Sequence, residues 1–253
     1  MEKFEREGKK FWKRFGENLE QPQSLFFDLV NPEEYRKLLD GRDLQNKKIL
    51  DIGAGFPTPK EPLLKEHLPL ASELQEILEN FGAKIIAIDV SREALKSQKT
   101  VGRCPVLGNA FQLPFQNESI DGGAIILNLF NASFRGTERR EIFITIEECK
   151  KILEEVYRVL QRGTFVIISN FGYCIDVIDN LLKISGPEDG EIITPEMIIK
   201  LAEEVGFRNI RKISLDMERF ELAIKLAKEY YPEALRDRIK TIIKGSGALF
   251  MEK

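Results

Sequence analysis

The stretch Lys48-Ile-Leu-Asp-Ile-Gly-Ala-Gly55 decides the fold of this chain of 253 residues. It places three apolar residues around one aspartate and then ends in two spaced glycines. A short apolar run that ends in glycines predicts a buried strand whose carboxyl end lies close to a ligand, because glycine lets the backbone approach it. The motif alone also fits an ordinary turn between a strand and a helix, so the rest of the sequence is needed to distinguish a ligand-binding loop from such a turn.

The remainder of the chain alternates short apolar segments with amphipathic ones. Asn31-Pro32 opens a helix ahead of the first strand. Further strands are predicted at 83–90, 122–130, 164–170, 208–215 and 247–253, and a short strand followed by a loop at 104–110. Helices are predicted at 61–81, 91–98, 141–160, 194–207 and 218–240. This order predicts an α/β fold, namely a doubly wound, mostly parallel seven-stranded sheet with helices on both faces and extra N-terminal helices.

The chain is predicted to have two parts. Residues 1–46 form an N-terminal helical segment, and residues 47–253 form the main domain. Aromatic residues of the first segment, among them Phe11 and Trp12, fall close to one helical face. We interpret this segment, together with residues 171–187, as a lid over the functional site. Ordinary core packing and a basic contact with a membrane surface are the alternatives.

Composition narrows the class of function. The formal net charge of −3 and the pI of about 5.6 give no basic field, so nucleic acid is not expected as a partner. Cys104, Cys149 and Cys174 form no CxxC pair, so neither a disulfide framework nor a metal site is predicted. No apolar run is long enough for a membrane span, and the charged N-terminus argues against a secretory signal. We therefore expect a cytoplasmic protein; its oligomeric state stays open.

Three further signals follow the glycine stretch. Asp89 ends the second predicted strand, where an acidic side chain in a nucleotide-type site accepts hydrogen bonds from both ribose hydroxyls. The alternative is that Asp89 caps the following helix. The block 108–115 (GNAFQLPF) leads through Ser119-Ile-Asp121 into the fourth strand, and 157–163 (YRVLQRG) leads from a long helix into the fifth.

These four signals, in this order, resemble the class I S-adenosylmethionine-dependent methyltransferases, which have a seven-stranded Rossmann-like sheet. The resemblance covers about residues 46–215 and is nearest to the branch that acts on small molecules. The predicted strands 208–215 and 247–253 are also similar to that family's last antiparallel pair. The resemblance implies that S-adenosylmethionine is the cofactor and that the chain is a methyltransferase.

The resemblance assigns one set of residues to the methionine end of the cofactor. Asp51 and the backbone of Gly53 and Gly55 would hold the methionine part, with Ala54 in the same loop. Asn128, at the end of the fourth strand, would lie where the methyl group faces the acceptor.

A second set is assigned to the adenosine end. Asp89 would bind the ribose and Val90 would lie against the adenine. Asn109 stands where the family usually has aspartate, beside the adenine amino group. Ala110 would contact the ring through its backbone.

The sequence departs from the family pattern after the second glycine. Phe56-Pro57 replaces the third glycine, and 38 residues separate Asp51 from Asp89, against about 20 in the general nucleotide-binding pattern. We therefore predict an insertion at residues 56–72 whose role the sequence leaves open. An NAD site is the alternative, but Thr58 occupies the last glycine position of that fingerprint.

The reaction is predicted to be methyl transfer from S-adenosylmethionine to a small-molecule acceptor. Action on RNA or protein, and cofactor binding without turnover, are the alternatives. The chain has one histidine, His67, and it lies in the predicted insertion, so no catalytic base is assigned. The run Asn128-Leu-Phe-Asn131 differs from the Asn/Asp-Pro-Pro-Tyr/Phe run of methylases that act on planar nitrogens, which argues against those substrates.

Overall fold

A sheet of seven strands is the centre of the computed structural model. The prediction of an α/β fold with a doubly wound sheet is confirmed. The structure describes residues 30–55, 72–127, 133–135, 141–169, 174–178, 181–185, 193–218, 221 and 247–253.

Sixteen elements lie in the described part of the chain. The seven strands of the sheet are β1 (Lys48–Ile52), β2 (Lys84–Asp89), β3 (Cys104–Leu107), β4 (Gly123–Leu127), β7 (Phe165–Ser169), β10 (Arg208–Ile213) and β11 (Ala248–Glu252). Two separate hairpins pair β5 (Ser133–Arg135) with β6 (Glu141–Phe143) and β8 (Cys174–Ile178) with β9 (Leu181–Ser185). The helices are α1 (Pro32–Leu39), α2 (Ser72–Asn80), α3 (Arg92–Thr100), α4 (Ile146–Val159) and α5 (Pro195–Val205).

The strand order in the sheet is β10-β11-β7-β4-β1-β2-β3. The five strands from β7 to β3 run parallel, and β11 runs antiparallel to both of its neighbours. The parallel strands therefore end at one edge of the sheet, which is where open α/β sheets bind ligands. The glycine stretch after β1 and Asp89 at the end of β2 both lie at this edge.

Helices cover both faces of the sheet and divide its core in two. One face buries Leu50 and Ile52 of β1 under α4 and α5. The other face buries Ile49 under α1 and α2, with Tyr35 and Leu39 contributed by α1. Because side chains of a strand alternate between faces, Asp51 falls on the α2 side. A carboxylate is thus placed inside an otherwise apolar layer.

Most predicted elements are confirmed, and one is wrong in part. Residues 141–160 were expected to form one helix, but 141–143 form β6 and α4 begins only at Ile146. The reason is a capping box, in which the Thr145 side chain accepts from the Glu148 amide and the Glu148 carboxylate accepts from the Thr145 amide. The cap fixes where the helix starts, whatever periodicity precedes it.

Other predictions fall partly outside the described residues. The helix predicted at 61–81 is described only from Ser72 onward, and the strand predicted at 122–130 only as far as Leu127. Most of the helix predicted at 218–240 and all of residues 1–29 lie outside as well. Among the described residues, no helix has the length and apolar character needed to cross a membrane.

The two outer strands of the sheet carry features that disfavour further pairing. Strand β3 contains Pro105, which has no backbone N–H to donate. Strand β10 carries exposed Arg211 and Lys212, and its register with β11 shifts between Arg208 and Arg211. Asn209, inside this irregularity, has a φ of +50°. Regular pairing of a further strand with β3 or β10 is therefore disfavoured.

Two glycines at the start of β4 are required by close packing. A Cβ atom on Gly122 would lie 2.6 Å from the carbonyl oxygen of Lys48, and one on Gly123 would lie 2.6 Å from that of Phe165. Both contacts are with backbone of neighbouring strands, which cannot move aside without disturbing the ladder. Glycine at these positions lets β4 lie between β1 and β7.

We expect Gly122→Ala to lower the free energy of unfolding by about 1–3 kcal/mol, because the added methyl group overpacks the strand junction. Denaturant unfolding measures this change. The control is Gln116→Ala, at an exposed position ahead of the same strand, which should change stability by less than about 0.5 kcal/mol. Equal stabilities of the two variants would contradict the packing argument.

Candidate functional site

The loop Gly53–Gly55 turns the chain back toward β2. Gly53 and Gly55 have φ values of +73° and +55°, which glycine adopts at little cost. The amides of Gly53 and Ala54 donate to the Ile88 carbonyl at 2.9 and 3.0 Å. The Gly55 amide donates to Oδ2 of Asp89 at 2.9 Å. All three backbone donors of the loop are therefore used inside the protein.

The Asp89 carboxylate joins this loop to the next helix. Its second oxygen, Oδ1, accepts from the Ser91 amide at 2.8 Å, just ahead of α3. Ser91 itself caps α3, because its hydroxyl accepts from the Ala94 amide. Burial raises the pKa of Asp89, against hydrogen bonds that lower it. Two carboxylate oxygens offer about four acceptor positions, so Asp89 can accept further hydrogen bonds.

The residues predicted for the adenosine end lie beside Asp89. The Gly108 amide donates to the Asp89 carbonyl at 3.1 Å, which brings Asn109 to the same edge of the sheet. Oδ1 of Asn109 accepts from the Phe111 amide at 3.0 Å. Val90 and Ala110 are half-buried. The structure thus brings together every predicted site residue except Asn128, which lies outside the described residues.

The segment Leu113–Phe115 is fixed by two side chains of α4. Glu155 accepts from the Leu113 amide at 2.7 Å. Arg158 donates to the carbonyls of Leu113 and Phe115 at 3.0 and 2.8 Å. Arg158, within the 157–163 signal, therefore anchors the 108–115 block, a role that was not predicted from the sequence.

A buried polar cluster lies behind the glycine loop, and Asp51 is the one member of it that was predicted from the sequence. Besides Asp51, its members are Gln75 of α2, Gln98 of α3 and Arg103 ahead of β3. Gln75 donates to Asp51. Burial raises the pKa of Asp51 from 3.8 to about 7, although the charge of Arg103 and the hydrogen bond from Gln75 lower it. No motif marks Gln75, Gln98 or Arg103, since they come from three separate elements.

The chemistry of this edge suits a ribose better than a phosphate. Asp89 is an acceptor and can take the hydrogen bonds of sugar hydroxyls. A pyrophosphate instead needs free backbone N–H groups at the glycine loop. The three amides of Gly53–Gly55 are already hydrogen-bonded within the protein. The described residues of this edge can therefore accept hydrogen bonds from sugar hydroxyls, but the amides of Gly53–Gly55 are not free for a phosphate.

Residues 70–168 match the family model described as "Methyltransferase domain". The chain is similar to an uncharacterized protein of Methanocaldococcus jannaschii, with 25% identity over 214 residues that cover 79% of this chain and 91% of that protein.

Solved methyltransferases are among the structures to which the chain is similar. An S-adenosylmethionine-dependent methyltransferase from Aquifex aeolicus shares 16% identity, with 88% of each chain covered and a TM-score of 0.47. Phosphoethanolamine N-methyltransferase 2 of Haemonchus contortus, in complex with S-adenosyl-L-methionine, shares 14% identity over 87% of this chain and 51% of that one, with a TM-score of 0.49.

The chain therefore carries a match to a methyltransferase domain over residues 70–168, and its seven-stranded, mostly parallel sheet is the fold expected for such a domain. The solved structures to which the chain is similar include complexes with S-adenosylhomocysteine and with S-adenosyl-L-methionine.

We expect Asp51→Asn to change the pH dependence of stability. Because burial raises the folded pKa of Asp51 to about 7, the unfolded chain releases this proton at lower pH than the folded chain. The stability that protonated Asp51 contributes is complete below about pH 4 and is lost as the pH rises through about 7. Asparagine does not titrate, so the free energy of unfolding of Asp51→Asn, relative to that of the wild type, should rise as the pH increases from about 4 to about 7.

Denaturant unfolding of both proteins between about pH 5 and pH 8 measures this difference. Asp89 titrates with the same sign and is present in both proteins, so only the part of its titration that depends on the charge of Asp51 remains in the comparison. Parallel stability curves would show that Asp51 does not titrate in this range.

Proposed function

We propose that the enzyme transfers the methyl group of S-adenosylmethionine to a small molecule. The net charge of −3 and the absence of an Asn/Asp-Pro-Pro-Tyr/Phe run after β4 support this proposal over nucleic acid. The bound cofactor supplies an electrophilic methyl group. The protein has to align the acceptor with it and exclude water.

The observation that carries the proposed site is the position of Asp89. Its buried carboxylate lies at the carboxyl edge of the sheet and is bonded to the glycine loop on one side. We propose that Asp89 binds the ribose hydroxyls, with Val90, Asn109 and Ala110 around the adenine. Asp51 and the loop Gly53–Gly55 would then hold the methionine part, and Asn128 would lie toward the acceptor.

We also keep two wider proposals from the sequence. The N-terminal segment 1–46 acts as a lid, and the aromatic residues of its first half, such as Phe11 and Trp12, form the face that closes over the site. Deleting residues 1–15 would harm turnover more than cofactor affinity if the segment is a lid.

We also propose that the enzyme works in the cytoplasm, and the free thiols of Cys104 and Cys149 support this proposal.

We expect Asp89→Asn to weaken the binding of S-adenosylhomocysteine about 10- to 100-fold, because a charged acceptor of two ribose hydroxyls is lost. Asparagine retains one oxygen, which can still accept from the backbone. It is therefore a gentler change than alanine, which would leave the amides of Gly55 and Ser91 without their partner.

Calorimetry measures the dissociation constants, and thermal unfolding checks that the variant is folded. The matched control is Glu154→Gln, which removes an exposed carboxylate from α4. Unchanged affinity in a folded Asp89→Asn protein would exclude Asp89 from the ribose site.

We expect the acceptor to be found among low-molecular-weight metabolites. A lysate from which endogenous small molecules have not been removed is incubated with the enzyme and methyl-labelled cofactor, and then separated by size. Label should enter the small-molecule fraction and disappear when the lysate is dialysed first. Label in RNA or protein after dialysis would replace the small-molecule proposal.

A further inference from the structure

We propose that Arg103 is a positioning residue for the cofactor loop. Its guanidinium fixes the orientation of two buried glutamine amides, Gln75 and Gln98, and these hold Asp51 and the loop Gly53–Gly55. The inference rests on the proposed function, which gives Asp51 and this loop to the cofactor. It adds a residue that touches neither the loop nor the ligand and acts through its neighbours.

Arg103 determines which way both amides face. Nη1 of Arg103 donates to Oε1 of Gln75 at 2.6 Å and to Oε1 of Gln98 at 3.2 Å. Its Nε donates to Glu79 at 2.9 Å, which holds the guanidinium in place. A guanidinium can donate hydrogen bonds but cannot accept them. Each glutamine must therefore turn its oxygen toward Arg103 and its NH₂ group away from it.

The NH₂ groups of both glutamines point at the predicted site residues. Nε2 of Gln98 donates to the carbonyls of Ala54 and Gly55, each at 3.0 Å. Nε2 of Gln75 donates to Asp51. If the Gln98 amide were reversed, its oxygen would face two carbonyl oxygens. The favourable arrangement thus depends on the donor at the other end of the amide.

One peptide group passes this constraint to Asp89. The carbonyl of Ala54 and the amide N–H of Gly55 belong to the same rigid peptide plane. Gln98 holds the oxygen of this plane, and the Asp89 carboxylate accepts from its N–H. The direction of the Gly55 N–H, and with it the carboxylate that we assign to the ribose, is therefore coupled to Arg103 through Gln98.

Burial makes this chain of contacts sensitive to any change. Gln98 is fully buried, and Gln75 and Arg103 are 5% and 7% exposed. Water cannot readily replace a lost partner at such positions, so an unpaired group is costly. Lysine in place of Arg103 would keep the charge but would lose the planar fork of donors.

The decisive variant is Gln98→Glu. It keeps the size of the side chain and an oxygen for Arg103, but it replaces the NH₂ group that faces Ala54 and Gly55 by a second oxygen. We expect binding of S-adenosylhomocysteine to weaken about tenfold or more, and the ¹⁵N-glycine amide signals of Gly53 and Gly55 to shift in the ligand-free protein. The control is Gln116→Glu, the same change at an exposed position, which should alter neither.

If the buried polar cluster only stabilised the fold, Gln98→Glu would change the free energy of unfolding but not the amide signals of Gly53 and Gly55. Signals and affinity like those of the wild type in Gln98→Glu would overturn the inference. Arg103→Lys tests the arginine itself, with the same expected shifts and the same overturning result, and it carries the test alone if Gln98→Glu does not fold. Failure of the wild type to bind S-adenosylhomocysteine would overturn the proposed cofactor site, whereas the glycine signals would still decide whether Arg103 orders the loop.

Discussion

The peptide group between Ala54 and Gly55 is the point on which the site depends. Its carbonyl accepts from Gln98 on one side, and its N–H donates to Asp89 on the other. A rigid plane held at both ends fixes the relation between the end of β1 and the end of β2. Together with the amides of Gly53 and Ala54, which donate to the Ile88 carbonyl, this plane joins the two strand ends that carry Asp51 and Asp89.

The position of the polar cluster follows from the alternation of a buried strand. Both faces of β1 are covered by helices, so an aspartate between Leu50 and Ile52 must enter the core on the α2 side. A lone buried carboxylate would be costly, and the partners that α2 and the segment before β3 supply reduce this cost. The raised pKa of Asp51 shows that the compensation is incomplete, because desolvation outweighs the charge of Arg103. A carboxyl group with a pKa of about 7 therefore lies beside the loop that we propose for the cofactor.

The sequence predicted the sheet well because its signals are local. Apolar runs ended by Gly53 or Asp89, and caps such as Ser91, act within a few residues of themselves. The error at 141–143 arose because a capping box at Thr145 overrides a periodicity that continues through it. Gln75, Gln98 and Arg103 escaped prediction because their meaning comes from partners 5 to 44 residues away along the chain. The roles of individual site residues, including Asn128, remain predictions.

The interrupted outer strands have a consequence for how the enzyme behaves in crowded solution. A sheet with open, regular borders offers a template on which another chain can add a strand, and repeated addition leads to fibres. Pro105 removes one donor from one border, and the charges and irregular register of β10 disrupt the other. Both features oppose the addition of a strand from a neighbouring molecule along the described borders of the sheet.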